Sequence, residues 1–183
     1  MNDDDCDWPD DKDVFEADTL PPGPSEIIQA RGELTIFERK TGETEWREIR
    51  REHNLITNVG YLTIANTLTN TGSYVNKHYT YFAWGDGATA PAIADTATTF
   101  YADCANSDTK AVTSIEAFNT GLLIQQWNCF LSTADNAVTS ITKFALMDAD
   151  PGVAMFNEIL FAPITKNAAV EFYMRYRLTF SQV

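Results

Sequence analysis

Two glycines flank an aspartate at Gly85-Asp86-Gly87, inside the stretch YFAWGDGATAPA at residues 81–92, and chemistry could use such a loop. A phosphate cradle needs a Lys-Ser/Thr pair opening a helix, and neither follows here. A calcium loop needs alternating Asp/Asn ligands and a closing glutamate, which are also missing. What remains is a turn. The glycines are expected to supply positive φ, Asp86 to bond nearby backbone, and Pro91 to stiffen the exit.

Other reactive residue types are sparse. The only histidines are His53 and His78, with no GxSxG nucleophile elbow in the chain, so a Ser-His-Asp triad has no local support. Asp86, Asp95, Asp103, Asp148 and Asp150 fall in expected loops, and nothing in their spacing selects a pair for glycoside chemistry. An enzyme would need at least two of these acids joined in one cleft with a perturbed pKa. Cys6, Cys104 and Cys129 form an odd set without CxxC spacing, so neither a zinc site nor a disulfide framework is indicated. A Cys104–Cys129 bridge is one option, and a small buried hydrophobe is the plainer role for Cys129. Trp84, Trp127 and Tyr79 are the aromatic residues that could stack on a sugar if exposed. No catalytic residue, metal or cofactor emerges, and the chain reads as a non-enzyme.

The elements that position these residues come from composition and pattern. The 183 residues suit one domain plus an appendage, and the net charge of −13 argues against a nucleic-acid partner. No run of about eighteen apolar residues is present, so no membrane span is expected. The N-terminus lacks the apolar stretch of a secretory signal. Residues 1–25 form an acidic arm, with nine acidic residues against one lysine over positions 3–18, closed by the LPPGP of residues 20–24. Alone, such a segment has too little apolar surface to repay its ordering entropy. Trp8, Val14, Phe15 and Leu20 are its candidate anchors on a neighbouring subunit.

Residues 26–183 read as a single, mainly β domain. ELTIFERKTGETEWREIR (33–50) is a half-exposed hairpin turning at Lys40-Thr41-Gly42. NLITNVGYLTIANTLTNTG (54–72) is one short α-helix capped by Asn58, with Leu62, Ala65 and Leu68 at helical spacing, Tyr61 and Ile64 beside them, and a stop at Asn70-Thr71-Gly72. KHYTYFAW (77–84), TTFYAD (98–103), KAVTSIEAF (110–118), GLLIQQWNCFLS (121–132), SITKFALM (140–147) and VAMFNEILF (153–161) read as strands, with a turn at 148–152. VEFYMRYRLTF (170–180) alternates over eleven residues, with Val170, Phe172, Met174, Tyr176, Leu178 and Phe180 facing one way. Six to nine strands and one helix predict a jelly-roll-like β-sandwich.

Taken together, NLITNVGYLTIANTL and AWGDGATAPAIADTATTFYAD resemble a segment of tailed-phage tail-fibre and tail-collar proteins. Thr57, Asn58 and Gly60 match a TNxG helix start. Gly85, Asp86 and Gly87 match a GDG or GTG turn, and Ala90, Pro91, Asp95 and Thr96 match the stretch after it. At Thr98 the sequence departs from the leucine such proteins often carry. The order of elements over residues 141–180 is similar too. The resemblance covers roughly residues 50–183 and transfers no catalytic residue. It implies a structural virion subunit of the tail, collar, baseplate or head surface, assembled in the host cytoplasm. The implied assembly is a homo-oligomer (trimer, pentamer or hexamer) joined to other virion proteins. A receptor-binding sandwich that takes carbohydrate through Trp84 and Trp127 is the alternative.

Overall fold

The computed structural model describes residues 28–69, 72, 77–119, 123–135 and 137–182. The arm anchors Trp8, Phe15 and Leu20, and the helix-stop residues Asn70 and Thr71, lie outside the described residues. Among the described residues, ten strands form two five-stranded antiparallel sheets. Sheet A has the order β2-β1-β10-β7-β6, from β1 (Ile28–Lys40), β2 (Arg47–His53), β6 (Ser114–Asn119), β7 (Leu123–Leu131) and β10 (Val170–Gln182). Sheet B has the order β3-β9-β8-β4-β5, from β3 (Leu55–Ile56), β4 (Tyr81–Gly85), β5 (Ser107–Ala111), β8 (Ser140–Met147) and β9 (Met155–Thr165). The two outer pairings, β1 with β10 and β3 with β9, nest as in a jelly roll. β4 with β8 continues the nesting, and the inner strands also pair as local neighbours, β4 with β5 and β6 with β7.

The sheets form a sandwich because period-two alternation gives each an apolar inner face. Leu34, Ile36, Cys129, Leu131, Phe172, Met174 and Tyr176 from sheet A meet Phe82, Trp84, Ile141, Phe144, Leu146 and Ile159 from sheet B in one core. The alternation of β10 holds from Val170 to Leu178, and Phe180 is only half-buried at the rim. The Phe144 and Tyr176 rings, 6.0 Å apart, join the two sheets directly. Gly32 has no side chain because Tyr176 Oη and Asn54, which donates to it at 2.9 Å, fill that space.

Two helices are present among the described residues, not the one expected. α1 (Asn58–Thr69) follows β3, and α2 (Ala97–Asp103) replaces the strand expected at TTFYAD. The β-branched Thr98 and Thr99 favour strand by propensity. A capping box overrides them: Thr96 Oγ1 accepts from Thr99 N, and Thr99 Oγ1 accepts from Thr96 N. KAVTSIEAF also splits. β5 ends at Ala111 in sheet B, and β6 starts at Ser114 in sheet A, so the chain changes sheets at Val112-Thr113.

The cap of α1 is Thr57, not Asn58. The buried Thr57 Oγ1 accepts from Gly60 N at 3.2 Å and donates to Met155 O at 2.7 Å. Asn58 is the exposed first helical residue, and its N–H donates to Ile93 O. The buried side of the helix holds Gly60 and Thr63, with Val59 and Ile64 half-buried, whereas Leu62 and Ala65 face outward. This differs from the expected core stripe because the TNxG start presses the helix backbone against β9. A Cβ on Gly60 would lie 2.3 Å from Phe156 O and 2.8 Å from Ile56 Cγ2.

That contact sets a test of sign. Helix propensity alone favours Gly60→Ala by about 1 kcal/mol. A backbone clash costs more, so the variant is expected to lose about 1–3 kcal/mol in urea unfolding. A stabilised Gly60→Ala protein contradicts the close approach.

Candidate functional site

A second apolar layer lies on the far side of sheet B. Because Phe82, Trp84, Phe144 and Leu146 point into the sandwich, the alternate residues Ala83, Ala145 and Met147 face outward. α2 covers them, seating the fully buried Phe100 with Ala97 and Cys104 on this small-residue floor. The GDG triplet begins at the last residue of β4, and the polypeptide from there to α2 crosses the same face.

Its glycines serve space rather than positive φ. Among the described residues, positive φ occurs at Gly42 and Gly72 and not at the triplet. A Cβ on Gly85 would meet Cys104 Sγ at 2.4 Å, and one on Gly87 would meet Asp103 Oδ2 at 2.3 Å. Asp86 also bonds backbone twenty residues along the chain. It accepts from Asn106 N at 2.8 Å and Asn106 Nδ2 at 2.6 Å, pinning the loop to the far end of α2's segment. These bonds, the backbone one first, hold its carboxyl below the usual range. Pro91 is half-buried at the exit. Asp95 accepts from Ala92 N at 2.5 Å, and Thr96 caps α2, so the third matched element is a helix start.

At the centre of this cover is a charged cluster that the sequence spacing did not reveal. Lys143 on β8 is 2% exposed, and Glu158, on the neighbouring β9, is 1% exposed. Lys143 Nζ donates to Glu158 Oε1 at 2.5 Å and lies 2.8 Å from Asp103 Oδ2. Asp103 also accepts from Thr89 N at 3.1 Å and from Thr89 Oγ1. Bonds from Lys143 and Thr89 lower the Asp103 carboxyl to about 2. Burial pulls the Lys143 ammonium down, but the two carboxylates outweigh it and hold it above its ordinary value. Glu158 shifts the other way, up to about 6. Burial dominates there, outweighing the ammonium, and Asp95 adds to the rise. The partners therefore differ: Asp103 is the firm counter-ion, and Glu158 is the member that takes a proton more readily than an ordinary glutamate, at about 6.

Asp95, Asp103, Lys143 and Glu158 line one small pocket with Thr89 and Thr99. Two of the five loop acids thus do meet beside a perturbed carboxyl, as an acid–base site requires. The geometry consumes them structurally. Asp103 is shared between Thr89 and Lys143, and Glu158 is closed off from solvent. The remaining acids act elsewhere. Asp148 accepts from Val153 N, Ala154 N and Lys77 Nζ in its turn, and Asp150 is exposed.

Several expectations are corrected by burial. Trp84 is 1% exposed inside the sandwich and offers no ring face to a sugar. Tyr79 is buried, bonded to Thr63 and stacked on Phe156. Trp127 is half-buried against Tyr176, their rings 5.7 Å apart. Cys104 and Cys129 are buried free thiols, not a disulfide. Burial raises both thiols, Cys129 to about 12. His53 bonds Arg31, and His78 is exposed. Lys166 was also missed. It is fully buried and donates to Ser132 O, Val170 O and Asn167 O, tying two loops together, while burial draws its ammonium below the ordinary value.

The outer face of sheet A is polar and half-exposed. All seven arginines of the chain stand on β1, β2 and β10. Arg39 pairs with Glu171, Arg47 with Glu38, Arg50 with Glu52, and Arg51 with Glu33 and Glu48. Trp46 folds over this face onto Phe130 and Tyr173, so Tyr173 is partly covered. No helix among the described residues is long and apolar enough to cross a membrane, and no metal-binding group of three His, Cys, Asp or Glu occurs among them. Compared with known protein families, curated proteins and solved structures, the chain matches none.

The raised Glu158 carboxyl sets a pH dependence. Its folded value of about 6 lies above the ordinary 4.5, so the folded protein holds the proton more tightly. That contribution is complete below pH 4.5 and is lost as pH rises through 6. Its size is about 2 kcal/mol. Asp103 acts oppositely, below its ordinary 3.8, and leaves this window clear. Thermal melts should show the wild type losing stability relative to Glu158→Gln as pH rises from 4.5 to 6.5. A constant difference between the two contradicts this assignment.

Proposed function

We propose that this chain is a structural subunit of a tailed-virus particle, at the tail, collar, baseplate or head surface, acting by self-assembly and attachment to other virion proteins. The observation that carries the reading is the apolar surface around α1. Tyr61 and Leu62 are 48% and 47% exposed, and Ile93, held beside the helix start by the Asn58–Ile93 bond, is 50% exposed. A helix that packs one side on β9 and shows leucine and tyrosine on the other suits burial on both sides. A second copy of the chain is the occupant this reading assigns. The polar clusters support it by what they do: the Lys143 group and the GDG segment fasten a cover onto sheet B.

The residues that carry the resemblance to tail-fibre and tail-collar proteins have structural duties here. Gly60, Gly85, Gly87 and Thr96 each meet a packing or capping demand. Unpaired cysteines suit assembly in a reducing host cytoplasm. The carbohydrate-binding alternative loses its proposed contacts, since Trp84 is in the core and Trp127 packs on Tyr176.

Sedimentation of the full chain should give one defined species, a trimer, pentamer or hexamer. Leu62→Glu, at a position too exposed to disturb folding, should shift it to monomer with an unchanged circular dichroism spectrum. A monomeric wild type at high micromolar concentration would contradict self-assembly.

A further inference from the structure

The acidic protein concentrates its arginines on one sheet, with Arg31, Arg39, Arg51, Arg175 and Arg177 on its outer face. Three of the seven arginines, Arg31, Arg175 and Arg177, have no carboxylate partner among the described residues. Arg31 bonds His53 at 2.8 Å, and Arg177 Nε donates to Gln126 at 2.6 Å. Arg175 rests over the Phe37 ring at 5.0 Å, with its buried Nε unsatisfied. Strand register puts Arg175 opposite Thr35, itself flanked by Arg51 on β2, and Arg177 opposite Glu33. Burial, Arg177 and Arg51 all push the Arg175 guanidinium below its ordinary value. These cations crowd one another, and the carboxylates that act on Arg175, Glu33 and Glu48, are already engaged by Arg51. Beside them runs a depression lined by Arg31, Glu33, His53, Arg177, Thr179 and Ser181.

The counter-charge is in the same chain. Ten acidic residues against one lysine place nine of the net thirteen negative charges in residues 1–27. That segment joins the sheet at Ile28, three residues before Arg31 and at the end of β1 where the depression lies. Asp18 is ten residues before Ile28, a reach of up to about 33 Å. Pro21, Pro22 and Pro24 make the spacer stiff by composition, which disfavours doubling back onto its own sheet.

We propose that the acidic segment at residues 3–18 docks on the arginine face of sheet A of a neighbouring copy. The carboxylates meet Arg31, Arg175 and Arg177, and Trp8 or Phe15 adds to the aromatic row of Phe37, Tyr173 and Phe130. The inference rests on the self-assembly proposed above and adds a second contact between the copies, beside the α1 surface.

The test uses the full chain with a maleimide-benzophenone cross-linker on Cys6, the other two cysteines being buried. Isotopically heavy and light chains are mixed, irradiated and mapped by mass spectrometry. Heavy-to-light cross-links to peptides of β1, β2 or β10 are expected. Their yield should fall at least about tenfold in Arg175→Glu/Arg177→Glu, and in about 1 M salt, where the Debye length is about 3 Å. Asp10→Lys/Asp11→Lys/Asp13→Lys in the same chain should restore it, which a misfolded variant would not do. Cross-links to other surfaces, or within single chains only, overturn the dock. The mass of the irradiated sample separates the two failures: an oligomer cross-linked elsewhere sinks the dock alone, and a monomer sinks the self-assembly reading.

Discussion

An ammonium group buried in a β-sheet has to be neutralised where it lies, and Lys143 imposes that demand on half of this molecule. It sits on the outer face of sheet B, where solvent would normally reach it, so something must both cover and pair with it. Glu158 on the adjacent strand answers part of the charge, and Asp103 at the end of α2 answers the rest. Asp103 can reach Lys143 only if α2 lies flat on the sheet. α2 lies flat because Ala83 and Ala145 leave a hollow for Phe100. The loop before it passes close because Gly85 and Gly87 carry no side chain. One buried charge thus fixes the path from β4 to β5, and what looks like a reactive loop is part of a fastening.

The opposite side of the sandwich is organised differently. Sheet A keeps its outer face open to solvent and spreads charge over it, with most arginines paired across strands and a few left over. Trp46 covers one end of that face, and the other end lies beside the entry of the acidic arm. α1 adds a third kind of surface, apolar on both sides.

The sandwich was legible because alternation is a local signal. β10 reads correctly from its own eleven residues, and the hairpin from Gly42. α2 was not legible, since two turns of helix rich in threonine resemble a strand until Thr96 and Thr99 are recognised as a capping pair. The outward side of α1 was misread for a related reason. Periodicity finds an apolar stripe at Leu62 and Ala65, but the close approach at Gly60 decides which side is buried. The Lys143–Glu158–Asp103 cluster carried no signal at all. Its members are separated by fifteen residues or more, as with Lys143 and Glu158, and only strand register brings them together. A lysine amid FALM and ITK was a hint, because charged residues inside an otherwise apolar strand need partners.

Hydrogen exchange on Lys143→Met tests the fastening most directly. Methionine keeps the length and volume but removes the charge, leaving the Asp103 and Glu158 carboxyls without the cation that joins them. Amides from residues 86–103 should lose protection together, while those of β1 and β10 keep theirs. Unchanged protection across residues 86–103, or an equal loss in both regions, would contradict the claim that this one buried charge holds the cover in place.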